Sequence, residues 1–271
     1  MKNILEEIVA VKERQVEFEK TETPVSELEE QLFFQRPALS LCSFLTDKNR
    51  TGIIAEFKRR SPSKGIINDK ASVEEVTRAY TLEGASGLSV LTDKAFFGGS
   101  AEDLKKARSN EIPILRKDFI VDEYQIVQAK AIGADVILLI AACLSPARVK
   151  RYAAFAKKIG LEVLLEIHNE TELDHICDET DIVGVNNRDL RTFKVDINLS
   201  LQLINKIPTN KIAIAESGIS DVETIVTLKQ AGFKGFLIGE TFMKEADPAI
   251  AFADFVKALQ TSLKEGLGRG D

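Results

Sequence analysis

Short apolar runs recur along the chain at the spacing of a repeated strand-and-helix unit. Eight stand out: IIAEF from Ile53, LSVLT from Leu88, PILR from Pro113, DVILLI from Asp135, EVLLEI from Glu162, IVGVN from Ile182, IAIAE from Ile212 and GFLIG from Gly235. They begin about every 20 to 35 residues, too far apart for a meander of hairpins and right for βα units.

The gaps between the runs carry helix signals. Ser145 followed by Pro146 reads as N-cap and first helical residue, and Gly160 closes that helix just before the fifth run. Ser72 with Glu75, Asn169 with Glu172 and Ser220 with Glu223 have the spacing of a capping box or its Asn variant. Gly84, Gly133, Gly160 and Gly232 each stand shortly before a strand.

Eight parallel strands with right-handed crossovers can close into a barrel that leaves no sheet edge exposed. An open doubly wound sheet would announce itself with G-x-G-x-x-G after the first strand, whereas this first strand runs into the charged EFKRRSPSKG. The expected fold is therefore an α/β (β/α)8 barrel forming one domain over residues 1–271. Residues 1–50 hold two helix-like stretches separated by Thr21 to Pro24, too few and too charged for a core of their own. They are expected to form an N-terminal helical extension packed on the barrel, and no second catalytic domain is expected after the eighth unit.

Composition narrows the partners. Lys and Arg number 36 against 42 Asp and Glu, a net charge of −6, which gives no long-range attraction to nucleic acid or anionic lipid. The N-terminus lacks the apolar run of a signal peptide, and Ile4, Leu5 and Ile8 have amphipathic-helix spacing. The longest apolar stretch, Val136 to Leu144, is about half of what a membrane-crossing helix needs. Cys42, Cys143 and Cys177 show no disulfide or zinc-ligand spacing. A reduced, cytoplasmic protein that binds neither nucleic acid nor membrane is expected.

In a barrel the reacting groups come from the carboxyl ends of the strands. Strand 1 ends in Glu56 and Lys58, strand 2 leads into Thr92 and Asp93, strand 3 into Lys117, and strand 5 ends in Glu166. Strand 6 ends in Asn186 with Arg188 beyond it, strand 7 in Glu216 and Ser217, and strand 8 in Gly239. Alternation puts Glu56 and Lys58 on one face and Phe57 on the other, so the charged pair faces the barrel axis. Two lysines and three glutamates then converge, either as a polar plug of ion pairs or as a reactive site. Charge at so many strand ends exceeds what stability requires. The turns ESGIS (Glu216 to Ser220) and IGETF (Ile238 to Phe242), in the seventh and eighth units, have the form of the phosphate-binding turns of this architecture.

Six segments resemble the indole-3-glycerol-phosphate synthase family in its own order: IIAEFKRRSPSKG, LTDKAFFGGS, ILRKDFIVDEYQI, LLEIHNETEL, GVNNRDL and IAESGI. The resemblance spans Ile53 to about Met243. It implies a (β/α)8 barrel with an added N-terminal helical segment, and a carboxy-lyase of tryptophan biosynthesis. The substrate it implies is 1-(2-carboxyphenylamino)-1-deoxyribulose 5-phosphate, converted to indole-3-glycerol phosphate, carbon dioxide and water. Lys117 matches the family's general acid and Glu166 its general base. Lys58 either assists the departing hydroxyl or holds substrate anions, and acid duty between the two lysines stays undivided. Glu56 is expected to orient both lysines by charge pairing. Phe97 and Phe119 match aryl-pocket positions; Ser61, Ser217, Gly218 and Gly239 match phosphate positions; Glu216 matches an active-site carboxylate. Glu240 follows the phosphate turn, an awkward neighbour for an anion unless only its amide faces the site. The family implies a monomer.

The chemistry suits these residue types. Ring closure puts charge on a carbonyl oxygen, which an ammonium protonates or stabilises, and dehydration needs a carboxylate to take a proton. A guanidinium fork such as Arg188, with Asn186 beside it, fits an aryl carboxylate. His168 is expected to hydrogen-bond locally, and no residue cluster calls for a metal or organic cofactor. Two other readings stay open: another phosphate-binding barrel such as phosphoribosylanthranilate isomerase, and a barrel that binds without turnover. Gly and Lys in the segment Ser61 to Gly65 suggest a mobile loop over the substrate.

Overall fold

A computed structural model describes residues 4–267. Eight parallel strands close into a barrel: β1 (Ile53–Phe57), β2 (Gly87–Leu91), β3 (Ile114–Lys117), β4 (Val136–Ile140), β5 (Glu162–Ile167), β6 (Ile182–Asn186), β7 (Ile212–Glu216) and β8 (Gly235–Ile238). Each pairs with its neighbours in sequence, and β8 returns to β1 with Ile54 opposite Leu237. All eight runs marked in the sequence are these strands. The helices outside them include α1 (Ile4–Glu22), α2 (Val25–Glu29), α3 (Leu41–Thr46), α4 (Val73–Leu82), α5 (Ala101–Ala107), α6 (Glu123–Ala131) and α7 (Pro146–Lys158). After these come α8 (Asn198–Leu203), α9 (Val222–Ala231), α10 (Glu240–Met243) and α11 (Pro248–Leu267).

Strand alternation divides the core in two. Ile53, Ala55, Phe57, Leu139, Val163, Leu165, Val183, Ala215 and Phe236 face the helices, while Ile54, Leu115, Val136, Leu138, Leu164, Ile182, Ile214 and Leu237 fill the barrel. Further along the same inward rows lie Glu56, Lys117, Glu166, Asn186 and Glu216. Apolar layers therefore occupy the lower barrel and polar ones its carboxyl end.

The N-terminal extension packs at both ends of the barrel. α3 plugs the amino end: Leu41 and Leu45 join the interior cluster. A Cβ at Gly87 would lie 2.7 Å from Leu41, and one at Gly235 would lie 2.8 Å from Leu45, so only glycine admits the plug there. α1 crosses the carboxyl end instead. Its Lys12, 1% exposed, pairs with Asp93 at 2.8 Å and Asp118 at 2.9 Å, just beyond β2 and β3.

Ser72 and Ser145 cap α4 and α7 as their spacing predicts, each accepting an amide three residues on. The Ser220 expectation moves by one: Asp221 caps α9, its carboxylate accepting from Thr224 N at 2.8 Å, a stronger acceptor than the neighbouring hydroxyl. Asn169 caps only a 3₁₀ turn, Glu170–His175, and Glu172 turns its carboxylate to the amide of His168 at 2.7 Å. No helix among the described residues is long and apolar enough to cross a membrane.

Candidate active site

The carboxyl end of the barrel opens into a hollow. Glu56, Lys58, Ser61, Phe97, Lys117, Phe119, Glu166, Asn186, Arg188, Glu216, Ser217 and Glu240 all line it. An adjoining hollow, bounded by Gly218, Gly239 and Thr241, shares Lys58, Arg188, Ser217 and Glu240 with the first. Every site residue read from the sequence thus lies at one end of the molecule.

Lys117 is the hub. Its Nζ lies 2.7 Å from Glu166 Oε2 and 2.8 Å from Glu216 Oε2. Burial alone would lower its pKa, but Glu166, Glu216 and Glu56 together raise it, so the ammonium form persists. Glu166 is held well below the usual carboxylate range: the penalty of burial is outweighed by Lys117 and by His168. Glu216 goes the other way. Burial and the nearby charges of Glu166 and Glu56 raise it against the pull of Lys117. Its Oε1 is buried without a hydrogen-bond partner and sits where a Cβ on Gly184 would come within 2.2 Å. Glycine on β6 is what admits this third carboxylate.

Glu56 does less than expected. Its Oε1 pairs with Lys58 at 2.7 Å and its Oε2 accepts from Ser89 at 3.3 Å, so it orients Lys58. Lys117 takes its direct partners from β5 and β7 instead. Asn186 donates to Glu166 Oε1 at 3.0 Å and accepts the amide of Arg188 at 3.0 Å. The Arg188 guanidinium is loosely held, 3.5 Å from Glu240 and 3.4 Å from the Phe193 carbonyl. Phe97 and Phe119 face each other with ring centroids 6.0 Å apart, one wall of the first hollow.

At the seventh-unit turn Ser217 and Gly218 are both left-handed, with φ of 65° and 76°. A Cβ at Gly218 would also lie 2.2 Å from Val195, so conformation and space both demand glycine. At the eighth, a Cβ on Gly239 would lie 2.7 Å from Glu56. α10 begins there without a side-chain cap. The segment Ser61 to Gly65 is the turn of a short hairpin, Ser61 opposite Gly65, and Lys64 reaches Glu240 at 3.2 Å.

Sequence reasoning missed the roof. Ile4, Leu5 and Ile8 of α1 line the first hollow, and Leu138, Ile140, Leu190 and Phe193 line it too. The available signal was Lys12, four residues after Ile8 on the apolar stripe, where a lysine needs a buried partner. Phe193, with φ of 58°, gave no sign.

Lysine, arginine and glutamate side chains gathered at the carboxyl end of a closed parallel barrel, beside glycine turns in its seventh and eighth units, have the form of the phosphate-binding (β/α)8 enzymes. The family model described as "Indole-3-glycerol phosphate synthase" matches residues 5–255. A protein of that name from Bacteroides thetaiotaomicron is 48% identical, covering 96% of this chain and 100% of its own. Another from Laribacter hongkongensis is 42% identical over 93% of this chain and 98% of its own. The solved tryptophan synthase A-subunit of Pyrococcus furiosus superposes with a TM-score of 0.59 at 17% identity, covering 78% of this chain and 99% of that one, a likeness of fold alone. The chain belongs to the indole-3-glycerol phosphate synthase family, and is thereby a decarboxylating carbon–carbon lyase of tryptophan biosynthesis acting on a small phosphorylated substrate.

Proposed function

We propose that Lys117 is the acid and Glu166 the base with which this chain converts 1-(2-carboxyphenylamino)-1-deoxyribulose 5-phosphate to indole-3-glycerol phosphate. The observation that carries the assignment is the Lys117 ammonium set between Glu166 and Glu216 at 2.7 and 2.8 Å, beside the phenylalanine pair and the loosely tied Arg188. The aryl ring lies against Phe97 and Phe119 with its carboxylate on Arg188, and the phosphate takes the Ser217, Gly218 and Gly239 turns with Ser61 near. Glu240 offers its amide there, its side chain being drawn off by Arg188 and Lys64.

In the first step the aromatic carbon bearing the carboxylate bonds to the ketone carbon, and the carbonyl oxygen takes a proton from Lys117 to become hydroxyl. The bond to the carboxylate then breaks, carbon dioxide leaves, and its electron pair restores the benzene ring. Glu166 removes a proton from the adjacent ring-closed carbon while the hydroxyl departs as water, protonated by a lysine. Lys58, tied to Glu56, stands at the phosphate side of the hollow and assists that departure or steadies the anion. We place the protein in the cytoplasm as a monomer, one domain over residues 1–271, with no nucleic-acid partner.

The chain has no Trp, so indole fluorescence rises against a dark background. Wild type given the substrate gains signal, and Lys117→Ala and Glu166→Gln lose about 10²- to 10⁴-fold in turnover, the usual worth of a placed acid or base. Calorimetry checks that both variants still bind. A wild type that binds without turnover, or variants that keep more than a tenth of the activity, would overturn the assignment.

A further inference from the structure

His168 stands two residues beyond Glu166, just past the end of β5, its side chain 8% exposed, and the mechanism above gives it no task. Its Nε2 lies 3.0 Å from Glu166 Oε1, an ion-pair contact without the alignment of a hydrogen bond. Its Nδ1 lies 3.3 Å from Glu172 Oε2, and that same oxygen accepts the His168 backbone amide at 2.7 Å. The other oxygen of Glu172 accepts from Asn169 Nδ2 at 2.8 Å. The ring is thus clasped between two carboxylates, and Glu172 is itself fixed from three directions.

The two oxygens of Glu166 are consequently unlike. Oε2 meets Lys117, while Oε1 meets both Asn186, at 3.0 Å, and His168. When Lys117 turns to a substrate carbonyl it uncovers Oε2 and leaves Oε1 held. We infer that His168 is a positioning residue for the Glu166 base: its imidazolium anchors Oε1, keeping the carboxylate ionised and aimed so that Oε2 is the oxygen that takes the substrate proton. This rests on the assignment of Glu166 as base.

A neutral imidazole would turn a lone pair toward one of the two carboxylates, whereas the protonated ring sets positive charge against both. Although burial opposes the charge, Glu166 and Glu172 push the His168 pKa up to about 10. Lys117 and Glu216 lie behind Glu166, and Glu172 comes from the 3₁₀ turn. Cys143, in the turn after β4, stays a neutral thiol because burial and those same two carboxylates push it up to about 12. His175, on the 3₁₀ turn, bonds the Leu144 carbonyl at 2.9 Å.

The test is the pH profile of kcat for wild type, His168→Gln and Glu166→Gln. Glutamine retains a donor toward Oε1 but no charge. Losing a neighbouring cation raises a carboxylate by about one unit or more, so the acid limb of the His168→Gln profile moves up by that much. On the plateau above the acid limb, where Glu166 is ionised in both proteins, the lost aim lowers turnover about tenfold while KM stays within about twofold of wild type. An unshifted profile with full turnover in folded His168→Gln would refute the role of His168. If Glu166→Gln is fully active, it is the base assignment that fails. A second readout needs no variant at position 168: the chain has two histidines, and ring ¹⁵N shifts, assigned with His175→Asn, report their protonation. Both nitrogens of His168 protonated at pH 8 is the expected result, and a neutral tautomer there overturns the inference even if His168→Gln does not fold.

Discussion

Replacing Lys12 with Met keeps most of the side-chain volume and removes the ammonium that ties α1 across the barrel mouth. Lys12, Asp93 and Asp118 are 2%, 1% and 1% exposed at their side chains, so no water takes over the lost contacts. Breaking a buried pair by deleting one partner costs about 3 to 5 kcal/mol. The lower end applies here, because each carboxylate keeps other donors: Asp93 the Phe96 amide at 2.7 Å, and Asp118 the Thr92 hydroxyl at 2.6 Å and Arg116 at 3.1 Å. About 3 kcal/mol corresponds to roughly a hundredfold increase in the opening of α1. Hydrogen exchange of the α1 amides measures that opening directly, whether or not the barrel unfolds with it. The pH dependence has a definite sign. Asp118 is lowered by Lys12 and Arg116 against its burial, so its share of the docking energy is present above its ordinary value of about 4 and is lost as pH falls further. Lys12 is raised by the two aspartates against its burial, so its share is present below about pH 10 and is lost as pH rises through its still higher folded value. Protection of α1 is therefore flat between about pH 5 and 9 in wild type. Because Ile4, Leu5 and Ile8 roof the hollow, KM rises with the opening. Exchange in α1 within about threefold of wild type would refute the reasoning that the clasp holds the helix.

Three further outcomes follow from the site's geometry. Gly184→Ala sets a methyl 2.2 Å from Glu216 Oε1, so crystallography finds Glu216 displaced from Lys117, and stability falls by about 1 to 3 kcal/mol in a urea melt. Gly218→Ala meets both the left-handed backbone and Val195, and raises KM for the phosphorylated substrate at least tenfold, while KM for a substrate analogue lacking the phosphate changes little. Arg188→Lys loses the bidentate fork and raises KM without a matching fall in kcat, and an equal fall in kcat would move Arg188 from carboxylate binding to the chemical step.

The barrel was legible because its signals are local. Each strand is a short apolar run, each inward polar residue sits at period two from a buried one, and Ser145 with Pro146 starts a helix whatever lies around it. Partner choice is not local. That Lys117 joins Glu166 and Glu216 while Glu56 takes Lys58 depends on where strands end across the barrel, a fact of closure and stagger rather than of spacing. The Ser220 cap and the reciprocal half of the Asn169 capping box failed for a similar reason. Glu172 has the capping interval, yet its carboxylate serves His168, and Asp221 stands next to Ser220 with a stronger acceptor. The extension was readable as amphipathic helix, but nothing in Ile4, Leu5 and Ile8 tells which end of the barrel they cover.

On the proposed assignment of Lys117 and Arg188, the contrast between tight and loose cations at the mouth accounts for one site both holding a trianionic substrate and protonating it. Arg188 meets its protein partners at 3.4 and 3.5 Å, so a carboxylate in good geometry replaces them at little cost. Lys117 meets two carboxylates at 2.7 and 2.8 Å, and a neutral carbonyl cannot compete with both. Glu216 resolves this conflict. Its pKa is raised by burial and by Glu166 and Glu56, and the approach of further negative charge raises it more, so binding the substrate favours a proton on Glu216. A protonated Glu216 no longer attracts the ammonium, and two of the three N–H groups of Lys117 are then free to turn to the carbonyl oxygen. The same charge that makes the substrate hard to bury thereby loosens the acid that must act on it.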